Sequence, residues 1–502
     1  MVAQVLNGKN RVNTFYEQHK KAPLFEAIRD YISKDMAAYH TPGHKQGKGV
    51  SPEFLELVGQ NIFRMDLTEL PEVDNLHDAT TVIKDAQELA ASAYGSDRAF
   101  FLVNGSTTGN NVMIMTVCDP GDKIIIPRNI HKSALGGIIL SGAIPVYVPA
   151  MWDDELGISH GIDIVALEEA LIAHPDVKGV LLVNPTYYGI TTDIKRVVDL
   201  VHKYNRPVLV DEAHGAHFHF HESLPTSALR AGADMVVQST HKILCAMTQS
   251  SILHIKEGRV NSKRAKNVLQ LLHSTSPSYV LMASLDVARR QMVLHGTELL
   301  ERTINLAEDA RRRLNNIPGI TCFGREKCGN FGIYDLDLTK LVINFSGLGV
   351  SGFHALDILN ERYNVQSEMA TLYNVLELVT IGNDQSDLDR LVHAVEDMAE
   401  KNNFEKDLRV DSKVPPIPPI PKAIMTPRDA FFATTEKVPF SNSVGRVCAE
   451  IVSPYPPGIP ILAPGEEITE TIVEYLQIIY DHGAFINGPE DIRLHTIKVV
   501  RD

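Results

Sequence analysis

Cysteine is scarce and unpatterned. The five residues (Cys118, Cys245, Cys322, Cys328 and Cys448) are odd in number and scattered. That excludes a disulfide framework and fits a reducing, cytoplasmic setting. Positive charge is also short: 48 Lys and Arg face 62 Asp and Glu, a net charge of −14. A nucleic-acid surface is therefore not expected, whereas a cationic substrate is compatible. No apolar run approaches the length of a membrane span. The polar start MVAQVLNGKNRVNTFYEQHKK lacks the apolar stretch of a signal peptide. A nucleotide phosphate loop is missing as well. In HTPGHKQGKG, His40–Gly49, the Gly-Lys pair comes one residue early, and glycine follows Lys48 where Ser or Thr is required.

What is present is an ordinary soluble composition, 44% hydrophobic and 22% charged, in 502 residues. That length permits a large core and several domains. Seven apolar runs stand out: 99–103, 124–126, 144–148, 180–183, 208–210, 235–237 and 252–255. Amphipathic segments such as 162–173 and 193–204 lie between most of them. The alternation predicts an α/β fold with a seven-stranded, mostly parallel sheet covered on both faces. Helices are expected over 23–33 and from Pro277 to about Asn315, the latter interrupted near Gly296. The implied order is an N-terminal arm and active-site loop (1–75) and a large cofactor-binding domain (76–315). A small α+β domain (316–410), the proline-rich spacer 411–421 and a C-terminal domain (422–502) follow.

Open α/β sheets bind ligands beyond the carboxyl ends of their strands. Each strand can therefore be asked what it delivers there. The run 208–210 delivers Asp211; the run 235–237 delivers Ser239, Thr240, His241 and Lys242. A carboxylate and a lysine at one sheet edge suit pyridoxal phosphate, which needs an acid for its pyridinium proton and a lysine for its aldehyde. The first strand delivers NGSTTGNN, where Ser106, Thr107 and Thr108 open a helix. Such a helix start is either an anion site or a plain Ser/Thr cap. His131 in IIIPRNIHKS is either a ring-stacking imidazole or base, or a packed cap residue. Asn184 in NPTYYG is a candidate donor to a ring substituent.

Rival readings attach to the same residues. DEAH after a strand also occurs as a helicase box, but that box needs the missing phosphate loop. His217, His219 and His221 alternate, so a strand there would present them on one face as metal ligands; no Cys or Glu accompanies them at ligand spacing, and no metal is expected. The acidic stretch DLTELPEVDNLHD, Asp66–Asp78, is either a solvated turn or a lining for a basic substrate.

Taken together, HTPGHK, NGSTTGNN, PRNIHKS, NPTYYG, DEAHGAH, STHK and YPPGIPILAPGE resemble the bacterial ornithine/lysine/arginine decarboxylases of the aminotransferase-like, pyridoxal-phosphate type I fold. The order is most similar to the shorter biosynthetic arginine decarboxylases, which lack an N-terminal wing domain. The resemblance implies that Lys242 binds the cofactor aldehyde and Asp211 pairs with the pyridinium nitrogen. His131 would stack on one ring face and Ala213 on the other. Ser106, Thr107, Thr108, Ser239 and His241 would hold the phosphate. It places His214 near the ring hydroxyl, where the inducible lysine enzymes carry tryptophan. Ser274, Thr275 and Ser276 would enter a neighbouring subunit's site, which implies a homodimer or a higher even-numbered oligomer. Substrate contacts are expected from His40, Asp74, Asp78 and Glu368.

The implied activity is α-decarboxylation of a basic amino acid, arginine to agmatine and CO₂ first, with lysine or ornithine as alternatives. An aminotransferase or aldolase on the same cofactor is the more distant enzyme reading. A cofactor-less binding protein is the reading from another class, and Lys242 with Asp211 argues against it.

Overall fold

Short β-branched runs that are apolar at every position suit strands buried on both faces. In the computed structural model, which describes residues 14–330, 332–401, 417–455 and 458–501, seven such runs form one sheet. They are β1 (Arg98–Leu102), β2 (Lys123–Pro127), β3 (Ile144–Val148), β4 (Val180–Val183), β5 (Val208–Asp211), β6 (Met235–Gln238) and β7 (Ser251–Ile255). Their spatial order is β1-β7-β6-β5-β4-β2-β3, and only β7 runs against its neighbours. Strands β4, β5 and β6 are buried almost throughout.

Helices cover both faces. On one side lie α1 (Pro23–Ser33) and α2 (Val82–Tyr94); on the other lie α3 (Gly105–Val117) and α4 (Lys132–Ser141). The N-terminal arm is thus part of the large core, where Leu24, Ile28, Leu67 and Val73 pack. Helix α3 sits unusually close to the sheet. A Cβ at Gly109 would lie 2.3 Å from Val237 Cγ2, so only glycine allows the approach. That contact fixes the start of α3 over the ends of β5 and β6.

The predicted break near Gly296 is absent. Helix α5 runs uninterrupted over Tyr279–Leu314. Gly296 is a contact point instead: a Cβ there would come 3.2 Å from Phe220 Cβ. The last turns of α5 leave the large core, and Ala307, Ala310 and Leu314 pack in the next cluster. That cluster is built on a four-stranded antiparallel sheet of β8 (Thr321–Cys322), β9 (Lys340–Asn344), β10 (Met369–Ala370) and β11 (Asn374–Leu378). Helices α6 (Gly352–Tyr363) and α7 (Gln385–Lys401) cover it.

Residues 1–13 of the arm and 411–416 of the expected spacer lie outside the described residues. The C-terminal segment forms its own cluster around Phe440, Leu462, Ile472 and Val499. It is tied to the large sheet by Arg128, just after β2, which forms a two-pronged pair with buried Glu466 at 2.6 and 2.8 Å. The alternating histidines share no strand face. Phe218–Phe220 is a 3₁₀ turn, with His217 facing Asp337 and His221 facing Glu301. Among the described residues no helix is long and apolar enough to cross a membrane.

Candidate active site

Three chain segments converge beyond the carboxyl ends of β5 and β6. Strand β5 ends in Asp211; β6 is followed by Ser239 and a single turn, Thr240–Ile243, that carries Lys242. The first turn of α3 completes the group. Together with the loop after β2 they enclose a cavity of about 380 Å³. Ser106, Thr107, His131, Asp211, Ala213, His214, Ser239, His241 and Lys242 all line it.

Asp211 is held by donors. Its Oδ2 accepts from Asn110 Nδ2 at 2.7 Å and its Oδ1 from the Ala213 N–H at 3.1 Å. Asn110 Nδ2 also donates to Ser133 Oγ (2.9 Å), which lies 2.8 Å from His131 Nδ1. The Ser133 N–H, which can only donate, points at the same Nδ1 at 3.2 Å. The ring proton of His131 therefore resides on Nε2. Burial pushes the His131 pKa down to about 4, with Asp211 opposing and Lys242 adding to the shift. At neutral pH this imidazole is uncharged.

Lys242 lies 5.1 Å from the centre of the Tyr187 ring and 2.9 Å from His214 Nε2. Burial lowers its pKa, and Asp211 and Glu368 oppose the fall. On the far side of the imidazole, Lys340 Nζ stands 2.9 Å from His214 Nδ1. At the other end of the cavity, Ser106 Oγ and Ser239 Oγ are 2.7 Å apart, and His241 Nδ1 donates to the Ser250 carbonyl at 2.8 Å. The first N–H groups of α3 have no intrahelical acceptor, so this end favours an anion.

Several expected residues sit elsewhere. Thr108 is buried outside the lining, its Oγ1 accepting from Asn104 Nδ2 at 3.2 Å. Asn184 spends its Oδ1 on the Thr192 N–H (3.0 Å) and does not line the cavity. His40 pairs with the Tyr31 hydroxyl at 3.0 Å, apart from the lining. Asp78 is exposed and paired with Lys266 at 3.1 Å. Asp74 is corrected most clearly. Its carboxylate accepts from the N–H groups of Asn75, Thr80, Thr81 and Ile83, capping α2, whose own Thr81 makes no side-chain cap. A carboxylate saturated in this way has no lone pair to offer a substrate. Glu368 is exposed, yet near enough to raise the pKa values of Lys242, Lys340 and His241. Ser274, Thr275 and Ser276 are exposed and do not line the cavity of their own chain.

Sequence reasoning missed Asn110, Ser133, Tyr187 and Lys340. The first three lie inside motifs that had been singled out, but which side chain points inward depends on packing. Lys340 arrives from β9 of the four-stranded sheet, with no local motif to mark it.

The reassignment of Asp74 is testable. Asp74 sits at φ +70°, a conformation costly for alanine. Asp74→Ala should lower stability by about 1–3 kcal/mol, read from the urea midpoint. Burial would raise its pKa, but the N–H groups of Thr80, Asn75, Thr81 and Lys84 outweigh it and lower the value. The stabilising effect is therefore present at neutral pH and fades as the pH drops through the lowered pKa. Equal urea midpoints for the variant and the original protein at pH 7 would contradict the capping role.

Comparison with known proteins sets this geometry in a family. Residues 22–387 match the model of the Orn/Lys/Arg decarboxylase major domain, and residues 416–489 match that of the Orn/Lys/Arg decarboxylase C-terminal domain. An arginine decarboxylase of Bacillus subtilis (strain 168) is 46% identical, over 97% of this chain and 99% of that protein. The lysine decarboxylase LdcA of Pseudomonas aeruginosa is 27% identical over 91% of this chain and 75% of that protein. Among solved structures, the Francisella novicida lysine decarboxylase LdcF superposes with a TM-score of 0.83 at 25% identity, covering 99% of this chain and 83% of that one. The fold is accordingly the aminotransferase-like type I fold of pyridoxal-phosphate enzymes. With more than half its length matched by one family model and a full-length relative near half identity, the chain belongs to the Orn/Lys/Arg decarboxylase family.

Proposed function

We propose that the protein is a pyridoxal-phosphate-dependent decarboxylase that converts L-arginine to agmatine and CO₂. The observation that carries this reading is the convergence of Lys242 and the Asp211 carboxylate on one cavity whose far end is a helix start. The residues fit the cofactor. A lysine with a lowered pKa can meet an aldehyde as the amine. Asp211, held by Asn110 and the Ala213 N–H, is placed to keep a pyridinium proton. Ser106, Thr107, Ser239, His241 and the first turn of α3 form a phosphate end.

When bound, pyridoxal phosphate supplies a sink for the electrons released as the Cα–carboxylate bond breaks. Asp211, held by Asn110 and the Ala213 N–H, would keep the pyridinium nitrogen protonated. His131, uncharged and fixed as the Nε2–H tautomer, would offer a flat face to the cofactor ring, and Ala213 would pack against it as well. The protein must also hold the substrate carboxylate perpendicular to the ring, which is a matter of orientation. Burial favours loss of a charged carboxylate over its retention.

Arginine is preferred over lysine or ornithine on two grounds. Full-length relatives at 44–46% identity bear the name arginine decarboxylase, while those named lysine decarboxylase stand at 25–27%. Glu368 is the expected carboxylate that remains near the cavity. A guanidinium can take a bidentate bond from it, whereas an ammonium is a point charge. Ser274–Ser276, exposed on this chain, are assigned to the neighbouring subunit's site in a homodimer. The cytoplasm fits five cysteines that are all free.

Three measurements test this reading. Amine and CO₂ release should favour arginine over lysine by at least about tenfold in kcat/KM. Glu368→Gln should narrow that gap; equal efficiency on both substrates in the unmodified protein would overturn the arginine assignment. Asp211→Asn should retain cofactor yet lose decarboxylation by orders of magnitude, and an unchanged rate would remove Asp211 from its role. Sedimentation should find the active species to be a dimer or larger, and a fully active monomer would refute the shared site.

A further inference from the structure

Two lysines, Lys340 buried and Lys242 half-buried, flank one imidazole. Lys242 Nζ is 2.9 Å from His214 Nε2, and Lys340 Nζ is 2.9 Å from His214 Nδ1. A neutral imidazole has one N–H and one lone pair, whereas an ammonium can only donate. Both lysines therefore cannot be ammonium ions while both hydrogen bonds stand. A doubly protonated ring would in turn require two neutral amines. Burial holds the His214 pKa well below its usual value, and the two lysines push it the same way, so the ring is neutral. One lysine must then be an amine that accepts, while the other donates, as an amine or an ammonium.

The surroundings choose between them. Asp337 lies beside Lys340 and is fully buried. Its Oδ1 accepts from Thr339 Oγ1 at 2.7 Å, and its Oδ2 lies 3.1 Å from His217 Nε2. Burial opposes its charge, but His217, Lys340 and Thr339 outweigh burial and keep its pKa low. Lys340 thus faces a fixed carboxylate, with Glu368 adding to it. Burial brings the Lys340 pKa to about 8, which still leaves it mostly charged at pH 7. Lys242 is faced by Asp211, Glu368, His131 and His214, and Asp211 is already engaged by Asn110 and the Ala213 N–H.

We propose that Lys340 is a positioning residue that acts through His214 to hold Lys242 as a neutral amine. The Lys340 ammonium donates to Nδ1, the single ring proton sits on Nε2, and Nε2–H donates to Lys242 Nζ. The same line can move a proton. When Lys242 Nζ takes the Nε2 proton, Lys340 passes one to Nδ1, so Lys340 becomes the amine and Lys242 the ammonium. One proton is transferred and the ring ends neutral, in the opposite tautomer, with its proton on Nδ1 facing the Lys340 amine and Nε2 accepting from the Lys242 ammonium. Lys340 reaches the bridge from β9 of the small domain, so the arrangement also ties the protonation of Lys242 to the seating of that domain. This inference rests on Lys242 being the residue that meets the cofactor aldehyde.

The test uses the full-length protein freed of cofactor. Pyridoxal phosphate is added across a pH series, the adduct is trapped with borohydride, and the rate of labelling at Lys242 is read by peptide mass. Lys340→Met should raise the pH of half-maximal labelling by about one unit or more, because Lys242 then loses the bridge and becomes more basic. Lys340→Arg keeps a permanent positive donor and should leave the midpoint near that of the unmodified protein. In a His214→Phe background, Lys340→Met should move the midpoint much less, since the path is already cut. The proposal is overturned if Lys340→Met leaves the midpoint in place, or moves it equally with and without His214. Absence of label on Lys242 in the unmodified protein would instead sink the cofactor assignment of that lysine.

Discussion

A lysine can attack an aldehyde only as the amine, so its surroundings must disfavour its charge. Desolvation of Lys242 in the cavity does this, and the other features of the site follow from containing its consequences. A buried amine without charge needs partners that neither strip nor flood it with protons. Asp211 supplies a nearby negative charge but is itself occupied by Asn110 and the Ala213 N–H. His214 supplies a hydrogen bond while remaining neutral. Glu368 reaches the same region from just before β10 of the four-stranded sheet.

The sheet makes this possible. Strands β5 and β6 are adjacent and parallel, with Asp211 opposite Val237, so the residues that follow each strand emerge at one edge. Gly109 lets α3 approach β6 closely enough for the first turn of α3 to stand over that edge. Arg128 and Glu466 clamp the C-terminal segment against the end of β2, beside the loop that carries His131. A site assembled from strand ends in this way needs few specialised backbone features of its own.

What could be read in the sequence follows from how local its cause is. Buried parallel strands announce themselves as apolar runs, and the run 208–210 became Val208–Asp211 with little change. Asp211 and Lys242 were readable because each directly follows such a run. Asp74 was not, because its capping bonds reach N–H groups up to ten residues ahead through a left-handed turn, outside any short capping pattern. Gly296 looked like a helix break, yet the same missing side chain serves a close packing contact with Phe220. Lys340 sits in LTKLVIN, an ordinary buried strand by pattern. Its chemistry appears only when the four-stranded sheet is laid against the seven-stranded one and Lys340 meets His214.

The central claim is that the cavity at the ends of β5 and β6 holds pyridoxal phosphate on Lys242. Borohydride reduction of the purified holoenzyme followed by peptide mapping tests it most directly. A single pyridoxyl modification on the peptide containing Ser239–Lys242 is the predicted result. Modification of Lys340 or any other lysine in its place, or no modification at all, would contradict it.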